Sequence, residues 1–279
     1  MTQKKSTRLV AMKACRFFIS ALMLFAVAVA DVANAQALPS QIGIVVMHGK
    51  GGLPSGLVSA LTSSLQSKGY LVTSLEMPWS KHREYDVHVN VAEKEVVAAL
   101  DALRKRGAKN VFVAGHSQGG VFALYFGGKH KVDGIVAIAP GGHVGNALFR
   151  QKLGEWVTLA RKMIAEGKGD EKTTFMDFEG AKGTFPVRST PNVYLSWFDP
   201  EGAMNQDVAL KAMIPEVPVL YIVPTGDYPG LLKVKQPMFR SLPSHPLTKL
   251  YEPDATHVGA PTASGEEIMR WVLKVSGEL

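Results

Sequence analysis

The sequence predicts an α/β fold: a mainly parallel sheet of about six strands flanked by helices, with a helical cap insertion over the sheet. Three observations carry that expectation. Short β-prone runs alternate with stretches of helical periodicity, and strands separated by helices join through right-handed crossovers into a parallel sheet. Several runs are apolar at every position, as strands covered on both faces are. One interval, 141–213, breaks the alternation and reads as the insertion, between the fourth and fifth strands.

Taken in order, the first strand is 42–47, where Ile44, Val45, Val46 and Met47 run without a polar interruption. A glycine-rich loop follows, His48-Gly49-Lys50-Gly51-Gly52. Leu57, Leu61 and Leu65 recur at helical spacing over 57–68, and Gly69 stops that helix. Residues 70–77 form the second strand, and a loop from Pro78 to Tyr85 leads out of it. Val89, Ala92, Val96, Ala99, Leu100 and Leu103 share one face of the next helix, which ends at Gly107. Val111, Phe112 and Val113 make the third strand. It runs into a tight turn and then a helix through Val121 and Phe122. Ile135, Val136 and Ile138 mark the fourth strand, 132–140.

Within the insertion, Leu153, Trp156, Val157, Ala160, Met163 and Ile164 repeat at helical spacing, with Gly167 as the stop. Residues 167–172 are a polar surface turn; their Gly-Lys lacks the spacing of a phosphate loop. Thr190 followed by Pro191 reads as an N-cap with proline in the first helical position. The fifth strand is 217–223 and the sixth 248–251. A closing helix over 265–275 packs through Ile268, Met269, Trp271 and Val272.

The chain has 279 residues, is 46% hydrophobic and 20% charged, and carries a formal charge of +7. Part of that charge belongs to the N-terminus. Lys4, Lys5, Arg8, Lys13 and Arg16 precede an apolar run at 17–30, and Ala33-Asn34-Ala35 follows. This is the order of a cleaved secretory signal, 1–35, leaving one domain, 36–279. The apolar run is too short for a comfortable membrane span. Removing 1–35 takes five bases and one acid from the 31 and 24 of the full chain, and leaves +3. Nucleic-acid binding loses its support, and stable membrane insertion of the mature chain is not expected. Cys15 is the single cysteine and precedes the apolar run, so neither a lipid anchor nor a thiol nucleophile is implied for the mature chain. The expected location is the periplasm or the medium. Nothing in the sequence fixes an oligomeric state.

The chemistry concentrates at Gly115-His116-Ser117-Gln118-Gly119, a G-x-S-x-G between a buried strand and a helix. In that setting a serine hydroxyl is lifted above the sheet edge, and the helix N-terminus presents free N–H groups beside it. From residue 42 to the C-terminus the chain resembles the α/β-hydrolases, with the serine followed in chain order by an acid and then a histidine. It is similar to small exported members with an H-G-x-G-G loop. It departs from the family in lacking the two N-terminal antiparallel strands. The insertion falls where the family carries its cap.

The resemblance implies Ser117 as nucleophile and His257, after the last strand, as its base. It implies Asp227, after the fifth strand, as the acid that orients the imidazole. Asp254 and Glu252 are rival acids close to His257 in sequence. The loop His48, Gly49, Lys50, Gly51, Gly52 would form the oxyanion hole, with the N–H groups of Lys50 and Gln118 as donors and the Lys50 side chain not required. His48 reads as a residue bonded within that loop. Trp79, Arg83 and Tyr85 follow a strand's C-terminal end, where such sheets bind ligands. They either line a substrate pocket or pack the cap, with Arg83 paired to a nearby acid. No metal motif is present, and the chemistry needs no cofactor. The implied function is a serine hydrolase acting on a small-molecule acyl substrate, a carboxylic ester or related acyl bond. A peptidase, thioesterase or acyltransferase would carry the same triad, and a silent ligand-binding member is the rival from another class.

Overall fold

The structure is a computed structural model that describes residues 38–180 and 182–277. The proposed leader, 1–35, lies outside the described residues. Six strands form the main sheet: β1 (Ile42–Met47), β2 (Leu71–Leu75), β3 (Asn110–His116), β4 (Gly134–Ile138), and two later ones that flank the far edge. Between them lie α1 (Ser59–Ser67), α2 (Val89–Lys105) and α3 (Gln118–Gly127). After β4 come α4 (Ala147–Ala165), β5 (Thr173–Glu179), β6 (Gly183–Ser189), α5 (Pro191–Phe198) and α6 (Gln206–Ala212). The chain then returns to the main sheet through β7 (Val219–Ile222), α7 (Pro229–Arg240) and β8 (Lys249–Tyr251), and ends in α8 (Ala260–Ala263) and α9 (Gly265–Val275).

The sheet order is β2-β1-β3-β4-β7-β8, and every neighbouring pair is parallel. The continuous apolar runs explain this. In β1 every residue is buried, and successive side chains feed opposite layers. Val45, Met47, Val111, Val113, Ile135 and Ala137 pack with α2 and α3. Ile44, Val46, Phe112, Ala114, Val136 and Ile138 pack with α1 and α9. Both faces are therefore covered, as a parallel sheet requires. All six C-terminal ends lie along one edge. β1 and β3 are in register there, Met47 opposite Gly115, so the loop after β1 and the turn after β3 emerge side by side.

The insertion is not purely helical. β5 and β6 form an antiparallel hairpin, with Phe175 opposite Val187 and Asp177 opposite Phe185. Its alternation is legible afterwards: Phe175 and Asp177 point inward and are fully buried, while Thr174 is exposed. Pro186 lies inside β6, which a two-stranded ribbon tolerates because one edge of each strand is unpaired. The helices there follow expectation. Thr190 accepts from the Val193 N–H (3.3 Å) with Pro191 in the first turn of α5, and Gly167 takes a positive φ of 77° beyond α4. No helix among the described residues is long and apolar enough to cross a membrane.

Candidate active site

Ser117 sits between β3 and α3 with φ 54° and ψ −116°, a strained backbone for a residue with a side chain. Hydrogen bonds hold it there. Its N–H donates to Ile138 O on β4 (2.9 Å), and its carbonyl accepts from the Gly120 N–H (2.9 Å) and the Gly141 N–H (3.2 Å). The flanking glycines are steric necessities. A Cβ on Gly115 would lie 2.0 Å from Gly119 O, and one on Gly119 would lie 2.7 Å from His48 O. The strand, the helix and the loop after β1 thus meet backbone to backbone around the serine.

His257 and Asp227 reach the same point from the neighbouring strands β8 and β7. Beyond those strands their loops stay zipped together: Thr225 N–H donates to Pro253 O, and Gly226 N–H to Ala255 O (both 2.9 Å). The His257 Nδ1–H donates to Asp227 Oδ1 (2.7 Å), and the Ser117 hydroxyl donates to His257 Nε2 (3.1 Å). Asp227 Oδ1 also accepts from the Tyr228 N–H (2.7 Å), which fixes the carboxylate. The Asp227 side chain is fully buried. Of the rival acids, Asp254 bonds at the surface to the Thr225 hydroxyl, and Glu252 pairs with Lys235. Neither contacts His257.

The loop after β1 closes against the serine. A Cβ on Gly49 would come within 3.1 Å of the Ser117 Cβ. Gly51 N–H donates to Trp79 O and Gly52 N–H to Gly49 O, whereas the Lys50 and Gln118 N–H groups find no backbone acceptor among the described residues. His48 is bonded within the loop and beneath it: Nδ1–H to Gly49 O (2.7 Å), with Nε2 accepting from the Met77 N–H (3.0 Å). Burial lowers its pKa, so it stays neutral. His116, beside the serine, is buried and pushed down to about 4, chiefly by desolvation and then by the nearby His257. Its Nε2–H donates to His257 O (3.0 Å).

These groups form one wall of a cavity of about 630 Å³. Leu57, Phe149, Phe178, Leu231, Val234 and Met238 supply much of the rest. Among the described residues, no group of three or more His, Cys, Asp or Glu converges to hold a metal ion.

The model of the alpha/beta hydrolase family matches residues 27–270. The chain belongs to that family. Among solved structures, this hydrolase is similar to a metagenome-derived lipolytic enzyme (18% identity, TM-score 0.56, covering 85% of this chain and 94% of that one). It is also similar to a monoacylglycerol lipase from Paleococcus ferrophilus (20% identity, TM-score 0.53, 84% and 94%). A third is a thermostable carboxyl esterase from Bacillus coagulans (13% identity, TM-score 0.57, 84% and 89%). At such identities the likeness concerns the fold. No curated protein matches the sequence.

At the loop after β2 the hydrolase takes the second of the two alternatives, packing against the insertion with Arg83 paired locally. Trp79, Arg83 and Tyr85 do not line the cavity. Trp79 is buried against Phe122 and Trp197 and donates its indole N–H to His48 O (2.8 Å). Arg83 pairs with Asp86 (3.1 Å) and Glu95 (2.8 Å). Tyr85 lies beneath the cavity, bonded to Gln118 and Asp177. A large aromatic here packs better under the insertion than against solvent. The residues that do line the cavity, and were not singled out for it, come largely from α7 and the insertion, with Leu57 before α1 and Val258 after β8. In α7, Leu231, Val234 and Met238 follow helical spacing after Pro229, but Pro237 interrupts the pattern.

Proposed function

We propose that this protein is an exported serine hydrolase that cleaves a carboxylic ester with an uncharged, apolar acyl group. The observation that carries the reading is the contact chain Ser117–His257–Asp227, 3.1 Å and 2.7 Å, at the wall of an apolar cavity. Ser117 Oγ attacks the ester carbonyl while His257 Nε2 takes its proton; that proton then passes to the departing alcohol. The N–H groups of Lys50 and Gln118 stabilise the oxyanion. Water, activated by His257, releases the acid and restores Ser117. Asp227 holds the imidazole with Nδ1 protonated and stabilises the imidazolium. The elements between β4 and β7 act as the cap.

The preference for an uncharged acyl group rests on the lining. Lys50 is held by Asp177 (2.5 Å), and Glu179, the one other Asp, Glu, Lys or Arg of the described lining, is itself acidic. An anionic acyl group finds no free cation there. Export rests on the basic, apolar and Ala-x-Ala order of residues 1–35.

The test is labelling with a fluorophosphonate probe. Wild type should label and Ser117→Ala should not. A panel of p-nitrophenyl esters should favour chains longer than acetate over a hemisuccinate. Folded wild type that neither labels nor turns over any ester would sink the reading and favour a ligand-binding member.

A further inference from the structure

The Lys50 side chain does not point to solvent. It runs from the loop after β1 into the insertion, where its ammonium donates to Asp177 Oδ1 (2.5 Å) and to Phe178 O (3.0 Å). The rings of Phe149 and Phe198 lie 5.4 and 5.8 Å away. The other carboxylate oxygen of Asp177 accepts from the Tyr85 hydroxyl (3.1 Å), and that hydroxyl in turn accepts from Gln118 Nε2 (3.0 Å). One carboxylate, fully buried on the hairpin, therefore ties down the side chains of both residues proposed above as oxyanion donors, Lys50 directly and Gln118 through Tyr85.

We propose that Asp177 is a positioning residue: it fixes Lys50 directly and Gln118 through Tyr85, and so sets the spacing of the two oxyanion N–H donors. The inference rests on the functional reading given above for Lys50 and Gln118. A need for stability alone does not explain the arrangement. A buried ion pair is a poor stabiliser compared with apolar packing, because both charges must be desolvated. Here the two oxygens are divided between two separate elements, the loop after β1 and, by way of Tyr85, the start of α3. Gln118 is the first residue of α3, and Lys50 stands between two hydrogen-bonded glycines, Gly49 and Gly51. Apart from the contact of the Lys50 ammonium with Phe178 O, neither backbone position has a side-chain hydrogen-bond anchor other than this one. The hydroxyl of Tyr85 stays protonated because burial, followed by the Asp177 charge, raises its pKa well above the usual value, so it keeps a proton to donate to Asp177. Tyr85 itself is held at a positive φ of 57° to reach this place.

The experiment compares Tyr85→Phe, Asp177→Asn and Lys50→Met with wild type, using p-nitrophenyl butyrate and an alkyl trifluoromethyl ketone. The ketone adds to a serine hydroxyl and places an oxyanion in the hole. Loss of one oxyanion donor costs about 100- to 1,000-fold, so misplacement should lower kcat about 10- to 100-fold. KM should stay within about threefold, and affinity for the ketone should fall with kcat, as expected for an interaction made in the transition state. The double variant Lys50→Met/Asp177→Asn should lose no more than the worse single variant, since both act through one network. The proposal is overturned if kcat stays within about twofold of wild type. It is equally overturned if the loss is in KM alone with ketone affinity unchanged, which would make the network a shaper of the pocket. Should Asp177→Asn not fold, Tyr85→Phe, which removes a single oxygen, decides by the same criteria. Wild type without Ser117-dependent turnover would overturn the functional reading itself, a result separable from any ranking among the variants.

Discussion

Asp227→Asn is the substitution that tests the assignment of the acid most sharply. Asp227 Oδ1 accepts two hydrogen bonds, from His257 Nδ1 and from the Tyr228 N–H, each 2.7 Å. The Asn amide oxygen must therefore occupy that position, and its NH₂ takes the place of Oδ2, a buried atom with no partner. The fold and the histidine tautomer survive, but the negative charge facing the imidazolium is lost. Unit charges about 4 Å apart at an effective dielectric constant of about 20 interact by about 4 kcal/mol. At about 1.4 kcal/mol per tenfold, that lowers kcat by about a thousandfold. Asp254→Asn removes a charge that meets only the Thr225 hydroxyl, at 3.3 Å, and should change kcat less than about twofold. The assay is steady-state hydrolysis of p-nitrophenyl butyrate by variants with native-like circular dichroism. The reverse ranking would show that the wrong carboxylate has been assigned.

Three further outcomes are expected. Gly115→Ala drives a Cβ to within 2.0 Å of Gly119 O and should cost more than about 3 kcal/mol in urea unfolding. Gly154→Ala, in α4 with open space around its Cβ, should stabilise by about 0.5–1 kcal/mol; equal effects would refute the steric account. The His116 pKa is depressed on folding from 6.5 to about 4, so the unfolded chain binds the extra proton between those values. That stability is present above pH 6.5 and is lost as pH falls towards 4, by about 3 kcal/mol. A thermal melt series from pH 7 to 4 should show the loss, and His116→Gln should flatten it. Finally, mass spectrometry of exported protein should find Gln36 as the first residue; an intact N-terminus in that fraction refutes cleavage.

Much of the fold was legible because a parallel sheet writes itself into sequence as unbroken apolar runs. β1, β3 and β4 could be found from Val45, Val113 and Ile135 without any partner in view. Strand ends were less legible. Val217 and Val223 are buried like their neighbours but lie outside the ladder of β7, because burial extends beyond pairing. The β5–β6 hairpin was missed for a related reason. Its buried inner face mixes Phe175 with Asp177, so the apolar alternation that marks a strand is broken by the residue that gives the hairpin its tie to Lys50.

The candidate site divides the same way. Ser117, His257 and Asp227 are legible because chain order and strand ends constrain them: β7 and β8 are neighbours, so an acid and a histidine just beyond them must meet. The loop with Trp79, Arg83 and Tyr85 shares that sheet edge, which is why position alone suggested a pocket. Position does not say which side of the loop faces the cavity. The structure turns Tyr85 inward, where it touches Gln118 and Asp177, and leaves Arg83 to Glu95. The physical difference is partner supply. Arg83 has Asp86 and Glu95 within reach in its own segment and helix, so its charge is satisfied locally. Lys50 finds its one carboxylate in Asp177, and Asp177 also accepts from the Tyr85 hydroxyl, across 127 and 92 positions of sequence. Long-range polar pairs of this kind leave no periodic trace in a sequence. A buried charge must nonetheless be matched somewhere, and Lys50 among the glycines after β1 was the residue from which that question could have been asked.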